Sequence, residues 1–122
     1  MAITYTIAVK TARLNAVKTA LGASGKLEIG TTGMASILAV IDLGSGGSVT
    51  NDVWTLIGTP TSDTSADNTG TAAAARIRTS DNTDIVTGLT VGTSGADVIL
   101  DSTSITAGQT VTINSATITH AA

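Results

Sequence analysis

The chain has no cysteine and no phenylalanine, and histidine, glutamate, proline, tryptophan and tyrosine occur once each in its 122 residues. Without cysteine there is no disulfide framework and no thiolate metal site, so cysteine usage leaves the redox compartment open. A single histidine, His120, provides no imidazole pair for zinc, and its place beside the chain end makes it a poor general base. With Glu28 the only glutamate, a pair of carboxylates for acid–base hydrolysis has to come from aspartates. Glu28 alternates with Leu27 and Ile29, which places it on the solvent face of a strand. Aromatics are 2% of the chain, so the large rings that usually supply most buried area are missing. Ile, Leu, Val and the methyls of Thr have to build the core instead.

Charge is also scarce. Six Lys and Arg face nine Asp and Glu, a formal net charge of −3. Nucleic acid and anionic membrane both demand basic patches, so neither is expected as a partner. No apolar run approaches the roughly 20 residues needed to cross a bilayer. Residues 1–10, MAITYTIAVK, lack the charged and apolar regions of a signal peptide, and synthesis in the cytoplasm is the expectation.

What is present is β pattern. From Ile85 to His120 the chain is rich in Thr, Val and Ile. Apolar residues alternate at Leu89 and Val91 and at Val111 and Ile113, the period of a half-buried strand. The phase slips between Ile113 and Ala116, which predicts a bulge near Asn114–Ser115. Residues 26–30, 53–57 and 96–100 read as further strands, and residues 71–79 with 84–91 as a hairpin turned by Ser80–Thr83. In residues 71–79, Ala73, Ala75 and Ile77 share one face, with Arg76 and Arg78 on the other. Residues 37–43, ILAVIDL, are apolar at nearly every position, as in a central strand covered on both faces.

Two stretches depart from that pattern. Leu14, Val17 and Leu21 recur at helical spacing, predicting a helix over 9–21 with Thr6 or Thr11 as N-cap, Lys18 in its last turn and Gly22 as C-cap. Thr11, Asn15, Lys18 and Thr19 form its polar side. Residues 1–8 read as a strand or extended arm, with Ile3, Tyr5 and Ile7 on one side. Residues 58–70, with the only proline, read as a long surface loop and a possible clamp. The architecture expected is one all-β domain: a β-sandwich or jelly roll of about eight short strands over 26–120, preceded by the short helix.

No catalytic motif is found. G-x-S-x-G, the phosphate-binding loop and G-x-G-x-x-G are all absent. The pairs Asp63/Asp67 and Asp81/Asp84, with Asp97 and Asp101, do not match a Ca²⁺ loop, and aspartate favours turns for its own hydrogen-bonding reasons. No metal and no cofactor is expected, and the chain is read as a non-enzyme. Ile3, Tyr5, Arg13, Arg76 and Arg78 are the candidate contacts to a partner protein, since arginine and aromatic residues are enriched at interfaces.

Three pieces carry a resemblance. TARLNAVKTALG followed by GKLEIG, then DTSADNTGTAAAARIR, then VGTSGADVILDSTSITAGQTVTI are similar to a family of small virion structural proteins of tailed bacteriophages and prophages. The resemblance covers nearly the whole chain and keeps the order of the pieces, but its motifs are structural and transfer no binding residue. It implies a capsid decoration (cement) protein on the outside of the head, with the major capsid protein as partner. A homo-oligomer, dimer or trimer, is expected with it. The alternative is a tail- or fibre-associated module that binds a receptor or glycan.

Overall fold

The computed structural model describes residues 3–44, 47–56 and 61–119. The fold is mainly β, as expected, with one helix near the N-terminus. The helix α1 spans Ile7–Leu21, starting a half-turn earlier than the spacing of its leucines predicts. Of the two candidate caps it is Thr6 whose side chain accepts from the Val9 amide, at 3.3 Å. Gly22 ends the helix with φ 82, and its N–H donates to the Thr19 carbonyl. Residues 3–6 form no strand, so the arm reading holds for them and the strand reading does not.

The strands are β1 (Gly25–Gly30), β2 (Ile37–Gly44), β3 (Ser48–Thr50), β4 (Val53–Thr55), β5 (Thr61–Asp63), β6 (Gly70–Thr71), β7 (Ala74–Arg78), β8 (Asp84–Gly92), β9 (Val98–Leu100), β10 (Ser104–Ile105) and β11 (Val111–Thr119). Eight of them pair in the order β2-β1-β7-β8-β9-β11-β4-β3, and β5 also pairs with β11. This sheet curls until β5 lies against β2, giving a barrel-like sandwich. Asp63 makes the seam: its Oδ2 accepts from the Val40 amide at 3.0 Å.

That seam corrects two expectations. Residues 37–43 are the edge of the pairing order, not its centre. They are apolar on both faces because residues 61–70 cover the edge strand: Leu38 is fully buried, and its carbonyl accepts from the Asp67 amide. The supposed loop is therefore fastened down. Asn68 donates to the Ile37 carbonyl, and Ala66 is buried with its amide bound to Gln109. Residues 57–60 and His120 lie outside the described residues.

The β7–β8 hairpin forms as expected, and the bulge in β11 falls between Ile113 and Ser115. In β7 the apolar face is Ala75 and Ile77, whereas Ala73 precedes the strand and is exposed. β8 and β9 run parallel with only residues 93–97 between them. So short a return suffices because only two residue pairs align, and Asp97 locks it by accepting from both the amide and the hydroxyl of Thr90.

One cluster forms the core. Leu27, Ile29, Ile41, Ile77, Leu100 and Ile113 fill it without any phenylalanine, and Trp54, fully buried on β4, is its one large ring. Leu14 and Leu21 of α1 join the cluster, with Val17 beside them. α1 packs on β3, β4 and β8 at the end of the barrel where β8 begins. Leu21 sits so closely over Gly25 that a Cβ there would lie 2.3 Å from the leucine side chain.

Candidate interaction surface

α1 carries apolar residues on two sides. Leu14 and Leu21 turn into the barrel; Ile7, in line with them at the start of the helix, stays exposed by 48%, and Val9, on the other side, by 42%. Ile3, exposed by 74%, precedes them on the arm, so apolar side chains run from the arm onto the first helical turn. Helices apolar on both sides normally have both sides covered. Here the barrel covers one.

Arg13 follows Val9 by one turn, and its guanidinium lies 4.7 Å from the centroid of the Tyr5 ring. At an exposed site such a stack contributes about 0.5–1 kcal/mol toward laying the arm back against the helix. The arm thus lays Tyr5 against Arg13 of the helix, with Ile3 exposed two residues before it and Val9 exposed one turn before Arg13. Tyr5 belongs to this arm and not to a sheet. Of the five expected contact residues, Tyr5 and Arg13 are brought together, and Ile3 is exposed on the arm before them.

Arg76 and Arg78 stand elsewhere and do other work. β1 lies between β2 and β7, with Lys26 opposite Arg78 and Glu28 opposite Arg76. Arg76 Nε donates to Glu28 Oε1 at 2.6 Å, and Arg78 Nε to Asp84 Oδ1 at 2.6 Å. Arg78 Nη1 and Lys26 Nζ also approach Glu28, at 3.6 and 3.9 Å. Glu28 is consequently buried, with only 7% of its side chain exposed, contrary to the solvent-face expectation. The stems of Lys26, Arg76 and Arg78 close over it. Alternation with Leu27 and Ile29 places Glu28 on the outer face correctly; the three cations around it are what remove it from water.

The same holds for Lys10, which sequence spacing had not singled out. It is one turn before Leu14 and is buried beside the β3–β4 turn, with Nζ 4.0 Å from Asp52. Thr11 donates to the Asn51 carbonyl on that turn and fastens the helix there. Ile7 and Val9 are not among the five contact residues expected by residue type, although a helix starting at Ile7 puts both in its first turn.

The remaining aspartates are structural. Asp81 accepts from the hydroxyls of Thr79 and Thr83 in the β7–β8 turn, and those bonds hold its carboxyl below the usual range. Asp101 accepts from the Asn114 side chain at 2.6 Å. Among the described residues no group of three or more metal-ligating side chains converges, and no pocket opens. Among the described residues no helix is long and apolar enough to cross a membrane. Comparison with known protein families, curated proteins and solved structures finds no match for this chain.

Proposed function

We propose that the chain is a non-catalytic structural component that docks on a larger protein assembly, in the role of a capsid decoration protein binding the outside of a phage head. The observation that carries the docking reading is the set of exposed apolar side chains on the arm and first helical turn, Ile3, Ile7 and Val9, left outside the buried core. The virion assignment itself rests on the three sequence pieces described above. In that role the mechanism is mass action: a protein that binds only the assembled shell stabilises it by its binding free energy, repeated at every copy. The partner is the major capsid protein, and the protein acts at the capsid surface after synthesis in the host cytoplasm.

A receptor- or glycan-binding module of a tail or fibre is the second reading. Sugar sites usually present open aromatic faces. Trp54 is fully buried and the Tyr5 ring is faced by Arg13, which favours the shell. Sedimentation of the purified chain with expanded phage heads tests the choice. Saturation at on the order of hundreds of copies per particle supports decoration, because only the shell repeats its sites so often. A few copies per virion supports the tail, and no binding to heads overturns the decoration reading.

A further inference from the structure

The outer face of β1 and β7 carries Lys26, Glu28, Arg76 and Arg78, and Asp84 of β8 stands opposite Arg78. The hydrogen bonds of this group are one-sided. Arg76 donates to Glu28 through Nε, and Arg78 donates to Asp84 through Nε. Among the described residues the terminal nitrogens of Arg76 make no hydrogen bond. Arg78 Nη1 lies 3.6 Å from Glu28 Oε1, past hydrogen-bond reach. No buried side-chain nitrogen lacks a partner, so these terminal groups reach water. Each arginine therefore spends one edge of its guanidinium internally and keeps the two-nitrogen end for something else. An Nε anchored at 2.6 Å restricts that end before any ligand arrives, and a preorganised fork loses less entropy on binding. Residues two apart on one strand face lie about 6.5 Å apart, so both forks belong to one patch, with Lys26 opposite Arg78. Asp42, opposite Lys26 on β2, accepts from the Gly44 amide instead and forms no ion pair with Lys26.

We infer that the outward ends of Arg76 and Arg78 bind a carboxylate, the Asp or Glu side chain of an acidic segment on a partner protein. The end of a guanidinium is planar and offers two parallel N–H groups, which a carboxylate accepts with both oxygens. Charge selects the same ligand. Lys26, Arg76 and Arg78 exceed Glu28 and Asp84 by a single positive charge, which one carboxylate balances. A phosphate dianion would leave excess negative charge beside Glu28 and Asp84, and like charges disfavour one another at that range. Nucleic acid needs many phosphate contacts at once, and this patch has three cations on a chain of net charge −3. The two arginines thus serve twice: their Nε groups keep Glu28 and Asp84 paired, and their ends recognise the partner. The patch is on the sheet, on different elements from the arm and α1, so the inference goes beyond the docking surface of the proposed function.

Titration of the intact, isotope-labelled chain with a tetraglutamate peptide at fixed ionic strength tests this by nuclear magnetic resonance. Saturable shifts are expected at the Arg76 and Arg78 side-chain N–H groups and at the Glu28 and Ile77 amides. Inorganic phosphate at the same ionic strength should give no saturable shift there. Arg76→Lys keeps the positive charge and can still meet Glu28, but it has no two-nitrogen end. It should bind the peptide about fivefold more weakly, the loss of one exposed charge-paired contact, while thermal unfolding shows the fold kept. A wild-type chain without saturable shifts at these groups, an equal saturable response to phosphate, or an Arg76→Lys variant that binds the peptide as tightly as wild type overturns the inference. The arm and α1 take no part in these measurements, so a negative result leaves the decoration reading standing, and that reading falls only with head binding itself.

Discussion

Glu28 shows how one buried carboxylate organises several cations. It faces Arg76, Arg78 and Lys26 with 7% of its side chain exposed, while each arginine keeps 21% and Asp84 keeps 47%. Removing the shared anion leaves cations crowded over a partly dry site, whereas removing one exposed partner leaves the rest of the ladder paired. Glu28→Gln is expected to destabilise the fold by about 2–3 kcal/mol, nearer to breaking a buried pair than an exposed one. Asp84→Asn should cost under about 1 kcal/mol, as exposed ion pairs do. Urea unfolding of both variants checks the ordering, and equal losses would mean the ladder has no centre. Asp81 acts at the same scale through pH. Its carboxyl is held low in the folded turn by the hydroxyls of Thr79 and Thr83, so it titrates below its unfolded value. Its contribution is therefore present above the unfolded value and lost as pH falls through the folded one. Acidification should loosen residues 79–83 while the strands stay intact, and amide chemical shifts of Asn82 and Thr83 followed against pH report it.

At the level of elements, α1 depends on two leucines and one glycine. Leu14→Ala should cost about 2–5 kcal/mol, because the cavity opens in the only core the domain has. Gly25→Ala should cost about 1–3 kcal/mol, since the added methyl meets Leu21, itself 1% exposed and unable to retreat. Thermal unfolding measures both, and Leu21→Ala combined with Gly25→Ala should show less than additive loss if the two positions truly collide. The helix was legible in sequence because its leucines have helical spacing, and the β7–β8 hairpin because turn residues flank alternating strands. The β11 bulge was legible because a change of phase in a period of two has few other causes. Position in the sheet was not. The apolar run of β2 cannot distinguish a central strand from an edge strand covered by a distant segment, and it is residues 61–70 that decide it. Those residues look like loop because their strand is only three residues long and pairs with β11, 48 or more positions away. The arm surface was half legible: Ile3, Tyr5 and Arg13 stand out by residue type, while Ile7 and Val9 require knowing that the helix begins at Ile7.

For the whole molecule, closure is the property on which the rest depends. The curled sheet returns to its first edge through β5, which pairs with β11 on one side and reaches β2 through the Asp63 carboxylate on the other. Its second oxygen accepts from the Ser65 amide at 3.0 Å, so one side chain both seals the seam and turns the chain across it. Asp63→Ala leaves the Val40 amide without its acceptor, at a cost of about 1–3 kcal/mol. The loss should be local first: amides of Val40, Ala66 and Asp67 are expected to exchange with solvent faster, while those of β7 and β11 keep their protection. Asp63→Asn retains one carbonyl oxygen for one of the two amides and should fall between wild type and alanine. Unchanged exchange at Val40 in the alanine variant would mean the barrel closes by packing of its core alone.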